Sequence, residues 1–235
     1  MSAGEVIGGG WDIFKRFWRH LIPIALVVYL AISLLALVLT LIAGVLGAII
    51  SLFVSIAGVF WLQAALVEAV RDVRDGRADL SIGETLRRTW PRVPTVAVAG
   101  LFAGFAITIA FLLLIAPGLF LLTIWSLIVP VIVLEGRGVM ESFGRSRELV
   151  SGYGWTVCGV VVLTFLLLIA VSIVVSIILS PLDDAVQRYV SDVISNTVFA
   201  PFVAATWTLM YFRLRELKEP ATDAVAAPGA AFREE

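Results

Sequence analysis

Long apolar runs alternate along this chain with short stretches in which arginines and acidic residues recur at helical spacing. A helix needs about 20 apolar residues to cross a hydrocarbon core of about 30 Å. Six uncharged runs suit that role, at residues 21–42, 48–67, 93–115, 118–134, 155–179 and 193–212. The pattern predicts an all-α polytopic integral membrane protein. Runs one and two are separated only by residues 43–47, and runs three and four only by Ala116 and Pro117. Connections that short imply antiparallel neighbours, so the six runs are expected as three hairpins. The third pair is joined by residues 180–192, enough for a short surface helix.

Each hairpin is preceded by a segment with an amphipathic helical pattern. In the first, Ile7, Trp11, Phe14 and Trp18 fall on one helical face beside Lys15, Arg16 and Arg19. In the second, Ser81 and Glu84 have capping-box spacing, and Ile82, Leu86 and Trp90 line one side while Arg87, Arg88 and Arg92 stay polar. Val139, Phe143, Ser146 and Val150 make a thinner stripe in the third, beside Arg145, Arg147 and Glu148. Such helices are expected in the headgroup layer, with arginines toward phosphate. Three weakly similar units follow, at about 1–70, 80–135 and 138–214, within a membrane domain spanning 1–218.

Charge placement adds an orientation. Of 17 Lys and Arg residues, only Arg188 falls on the side of the short connections, and the rest lie on the other. Basic residues near span ends are retained in the cytoplasm, so both termini are expected inside. Trp11, Trp18, Trp90 and Trp155 fall at that predicted interface, the depth where an indole keeps its ring buried and its N–H wet. Composition agrees: 60% of residues are hydrophobic, 15% are charged and mean hydropathy is +1.03, against about 45–50% and 25% in soluble domains. The apolar run after Arg19 reads as a retained span, with no small-residue cleavage site. Residues 219–235 are Ala- and Pro-rich without an apolar period and are expected to be disordered, as a docking tail or a solvated end.

Candidate chemistry is sparse. No ionisable residue falls within the six runs, where carriers and intramembrane enzymes keep them. Gln63 and Asn196 are the polar amides there, one near each end. His20 is the only histidine and Cys158 the only cysteine, which supports neither a metal cluster nor a triad nor an internal disulfide. Glu68, Asp72, Asp75 and Asp79 alternate with Arg71, Arg74 and Arg77 and read as a solvated continuation of the second run. Pro130 would free the Ser126 carbonyl and bend its helix, as a hinge or as a packing feature. Gly100 and Gly104 form a GxxxG face. Glu135, Arg145 and Ser146 cluster where the third amphipathic helix meets the bent run, as a binding site or as an ion pair locking the two. Arg147, Arg87, Arg88, Lys15 and Arg16 are the candidate contacts to anionic lipid or to a partner.

The residues Pro130, Glu135, Gly138, Ser142, Arg145, Ser146, Leu149, Gly152 and Trp155 resemble the signature of the glycerophosphoryl diester phosphodiesterase membrane-domain family, to which YciC-like inner-membrane proteins are related. Tyr153 stands where that pattern often has Asn. The resemblance covers about 25 residues closely, and the six-span plan extends it over most of the chain. Diester hydrolysis in fused members belongs to a soluble barrel with paired histidines, for which this chain has neither the residues nor the room. What the resemblance implies is a stand-alone module of a prokaryotic plasma membrane with an accessory role. The expectation is a non-enzymatic scaffold or regulatory partner of envelope proteins, without cofactor or nucleic acid, contacting anionic lipid and either a protein partner or a second copy. A transporter or lipid-handling protein is the alternative, with an intramembrane enzyme third.

Overall fold

The computed structural model describes residues 2–74, 76–181, 183, 187, 191 and 193–219, apart from the side chains of Ser195 and Asn196. Arg188, the Asn196 amide and residues 220–235 therefore lie outside the described residues. The chain forms α1 (Ala3–Asp72), α2 (Ile82–Thr89), a 3-10 turn (Trp90–Arg92), α3 (Val93–Leu113), α4 (Ile115–Ile124), α5 (Ile128–Glu135), α6 (Val139–Val150), α7 (Gly154–Leu179), one π turn (Ser195–Phe199) and α8 (Ala200–Lys218). No strand occurs among the described residues. Four helical stretches are long and apolar enough to cross a membrane: Ala3–Asp72, Ile82–Leu113, Ile115–Glu135 and Gly154–Leu179.

Helix α1 opens on a capping box, in which Ser2 Oγ accepts from the Glu5 amide and the Glu5 carboxylate accepts from the Ser2 amide. Its 70 residues are not straight, because Phe17 and Gly44 leave helical angles. Gly44 has φ +54° and ψ −125°, a conformation a Cβ disfavours. The chain folds back there: Ser51 Oγ donates to the Ala36 carbonyl at 2.9 Å across 15 positions, and a side chain at Gly47 would overlap the Leu39 carbonyl. The next reversal falls on Leu114, in extended backbone, rather than on the expected Ala116 and Pro117. Pro117 instead occupies the first turn of α4, where no intrahelical partner for an N–H exists.

The run expected at 118–134 is interrupted. In a continuous helix the Pro130 ring would collide with the Ser126 carbonyl. The chain avoids this by ending α4 at Ile124 and starting α5 at Ile128, which puts Pro130 in a first turn. Helix α5 ends on Gly136 in the left-handed region, φ +71°.

Helix α5 is the most enclosed element, with Ile128, Pro130, Val131, Ile132 and Val133 buried. One face packs with Val6, Leu149, Val160 and Tyr211, the other with Ala64, Val67, Val96 and Ala99. A third cluster joins the two halves of α1 through Leu21, Ile24, Val28, Leu62 and Leu66. Away from these clusters apolar side chains face outward, among them Leu41, Ile42 and Val45 at the Gly44 reversal and Leu112 to Ile115 at the Leu114 reversal. Apolar surface of that extent suits a hydrocarbon solvent.

The side of the first segment that packs on the rest of the chain carries Val6, Gly10 and Phe14, while Trp11 and Trp18 are exposed. In α2 the buried residues are Thr85 and Thr89, with Ile82 and Leu86 only partly covered and Trp90 exposed against Trp61. Glu68, read as solvated, is 5% exposed and bonded to Arg71. Asp72 caps the following loop by accepting from the Leu80 amide. Gly100 receives the Phe60 ring, whereas nothing approaches Gly104.

Candidate functional site at the α5–α6 junction

Four segments bring charge together where α5 ends. Glu135 closes α5, Arg145 lies on α6, Tyr211 on α8, and Glu219 follows the last residue of α8. Arg145 Nε lies 3.1 Å from both Glu135 oxygens, and its Nη1 lies 3.1 Å from Glu148. Its Nη2 donates to Glu219. Glu135 also accepts from Tyr211 Oη at 2.9 Å and Arg137 Nε at 2.6 Å, while Arg215 Nε donates to Glu219 at 3.2 Å. The Arg145 and Glu135 side chains are only 7% and 11% exposed. Arg145 faces inward because α6 buries the side carrying Ser142, Arg145, Ser146 and Leu149.

The electrostatics match this geometry. Burial pulls the Arg145 pKa down, but bonds to Glu219, Glu148 and Glu135 outweigh it and raise the value. The guanidinium therefore stays charged. Glu219 is held below the usual carboxylate range by the Arg145 bond first and the Arg215 bond next. A carboxylate so engaged is a poor base, and a cation facing three acids has little field left for a substrate anion. A depression of about 480 Å³ beside the network is lined by Glu135, Arg137, Glu141, Arg145, Arg215 and Glu219.

One residue further along α6, Ser146 enters the gap between α4 and α5. Its hydroxyl donates to the Ile124 carbonyl at 2.7 Å and accepts from the Leu127 amide at 3.2 Å. The break that Pro130 forces is thereby bridged. Phe143 supports it, with its ring 4.9 Å from that of Trp125.

The other candidates stand apart from this cluster. Arg147, Arg87, Arg88, Lys15 and Arg16 are all exposed. Arg88 pairs with Glu84 at 2.8 Å and Lys15 with Asp12 at 3.4 Å. Pro130 contributes instead to a cleft of about 390 Å³ between α1, α5, α7 and α8, with Gln63, Leu168, Ser172, Val203 and Trp207 among its walls. Trp207 Nε1 is buried without a partner, a state that costs about 1–3 kcal/mol. His20 Nε2 is likewise unpartnered.

Tyr211, Arg215 and Glu219 were not foreseen as site residues. Only the i, i+4 spacing of Arg215 and Glu219 hinted at a pair; Tyr211 meets Glu135 across 76 positions, a distance no local pattern reports. No known protein family, no curated protein and no solved structure matches the chain.

Proposed function

We propose that this chain is a non-enzymatic integral protein of the cell membrane that acts as a scaffold or regulatory partner of other envelope proteins. The observation that carries this reading is that Pro130, Glu135, Gly138, Arg145 and Ser146 of the recognisable sequence stretch have architectural tasks. Pro130 sets the α4–α5 break, and Gly138 caps α6. Glu135 and Arg145 tie α5 to α6, and Ser146 bridges the break. Gly152 takes φ +85°, and Trp155 is 92% exposed. Such a stretch specifies a joint rather than a reaction centre. Membership of the glycerophosphoryl diester phosphodiesterase membrane-domain family belongs to this proposal.

Six crossings with both termini on the cytoplasmic side are part of it. Helix α1 folds back at Gly44 and supplies two, α3, α4–α5 and α7 supply one each, and α8 with its preceding π turn supplies the sixth. Exposed Lys15, Arg16, Arg87, Arg88 and Arg147 then meet anionic headgroups at the level of the exposed tryptophans. A second reading, transport or lipid handling, is favoured by the cleft at Gln63, Pro130 and Trp207.

The test is extraction from the native host in a polymer that retains lipid, with mass spectrometry of co-purifying proteins and lipids. A stoichiometric protein partner is expected, together with anionic lipid lost when Lys15, Arg16, Arg87 and Arg88 are changed to Glu. Enrichment of one lipid with no partner overturns the scaffold reading in favour of lipid handling.

A further inference from the structure

Glu219 joins the charge network from a different kind of position than its other members. Glu135, Arg145, Tyr211 and Arg215 lie within helices, whereas Glu219 is the first residue past α8, with non-helical angles of φ −126° and ψ 68°. Pro220 follows it, and a residue before proline is driven out of helical backbone. Two bonds to Arg215 set the turn: the Glu219 amide donates to the Arg215 carbonyl at 2.8 Å, and one Glu219 carboxylate oxygen accepts from Arg215 Nε at 3.2 Å. The side chain is thereby returned to the helix surface, where Arg145 Nη2 donates to the other oxygen. A single carboxylate is divided between two guanidiniums, an oxygen to each.

The two arginines are held differently. Arg145 is buried and also reaches Glu135 and Glu148, whereas Arg215 is half-exposed and pairs with no other carboxylate among the described residues. In the bonded set Arg137, Arg145 and Arg215 meet Glu135, Glu148 and Glu219, three cations to three anions. Without Glu219 that set keeps one uncompensated positive charge, on the wall of the depression of about 480 Å³. Removing the carboxylate frees the last residues of α8 but leaves its body seated, because Tyr211 and Leu214 are buried against Leu149 and Val150 and Tyr211 also donates to Glu135. Glu141 stands on the same wall and, among the described residues, bonds only the Gly138 amide. A multiply charged phosphate would meet that unpaired anion, whereas a single carboxylate matches the guanidinium pair.

We propose that Arg145 and Arg215 form a carboxylate-binding site at this depression, occupied by the chain's own Glu219 and open, once Glu219 is displaced, to an acidic side chain of a partner protein. The proposal rests on the scaffold reading for its partner and names the contact that partner makes: a Glu or Asp in extended backbone, presented as Glu219 is before Pro220. Glu219 competes from within the same chain, at an effective concentration of about millimolar order or more. A free acid therefore does not displace it, while a protein that adds contacts of its own does. The resident carboxylate keeps the site closed until such a partner is docked beside it.

The test uses the full chain in nanodiscs of zwitterionic phospholipid, so that anionic headgroups do not compete. The probe is a fluorine-labelled peptide, Leu-Lys-Glu-Pro-Ala, blocked at both ends so that the Glu side chain is its only carboxylate; the Gln counterpart is the control. Fluorine line broadening on titration reports binding in the weak range expected of a short peptide. E219A should bind the Glu peptide about tenfold more tightly than the parent chain, the effect of removing a competitor of millimolar effective concentration, and should not bind the Gln peptide. Added salt should weaken the binding, since its partners are charged. R215Q introduced into E219A should abolish it; Arg215 is half-exposed, so the fold is expected to survive, which the thermal midpoint verifies. E219Q replaces E219A should the latter prove unstable. Equal binding of the Glu peptide by parent and variant, equal binding of the Glu and Gln peptides, no binding to the variant at all, or binding that persists with R215Q in a folded protein each overturns the proposal. The scaffold reading fails separately, by the absence of a co-purifying protein, and that result leaves the peptide measurement as it is.

Discussion

Ser146 closes both sides of a three-residue gap with one hydroxyl, because it accepts from the amide that α5 leaves open and donates to the carbonyl that α4 leaves open. Replacing it with Ala strands two buried backbone groups, each worth about 1–3 kcal/mol when unsatisfied. We expect S146A to lower the thermal midpoint in detergent clearly more than S142A, since Ser142 Oγ only donates to the Val139 carbonyl of its own first turn. Equal shifts would show that the bridge is without energetic weight. Arg145 makes a related point about legibility. Its proximity to Glu135 followed from the expected meeting of a bent run with an amphipathic helix. An ion pair locking the two was one of the two readings of that meeting; a window of Arg145, Arg147 and Glu148 alone does not say which of the three turns inward.

At the scale of elements, the end of α8 is fastened to α6 through charge. Glu219 accepts from Arg145 and Arg215, and both bonds hold its carboxyl below the usual range. A depressed carboxyl stabilises the folded state at pH above its ordinary value of about 4.3, and that contribution is lost as the pH falls through the lower folded value. Acidification into that window should release α8 from α6. Spin labels at Glu148-adjacent Arg147 and at Lys218 should give a narrow distance distribution at neutral pH and a broad one in acid. E219Q should already be broadened at neutral pH and change less on acidification; a distribution identical to that of the parent would refute the fastening. Apolar run length made the four long apolar helical stretches legible. Boundaries were less so where a glycine or proline lay inside a run. The reversal at 43–47 was found because Gly44 is there, while the reversal at Leu114 has no polar residue or glycine to mark it and was drawn toward Pro117. The α4–α5 break was signalled by Pro130, but a bend and a full restart of the helix read alike in sequence.

For the whole molecule, packing is concentrated around α5 and apolar side chains cover the regions near the two reversals. The proposed orientation follows from basic residues rather than from packing, so it needs its own measurement. In a C158S background, a cysteine placed at Asp183 should react with an impermeant maleimide added outside intact cells, and one at Asp79 only after the membrane is opened; the opposite pattern would invert the topology. The site was partly legible at this scale too. Glu135 and Arg145 meet at the junction, while Ser146 bonds the α4–α5 break beside them. Tyr211 joins them only because α8 packs along α1, a long-range fact that periodicity does not carry. The Ser146 bridge has a consequence in time as well as in energy. The hydroxyl that completes the α4–α5 joint is 19 positions downstream of Leu127, so a nascent chain inserts residues 115–135 with two backbone groups still unanswered. The order in which the ribosome delivers the segments thus becomes the order in which the joint can close, and a chain halted before α6 would hold an unfinished joint inside the membrane, open to whatever surveys incomplete proteins there.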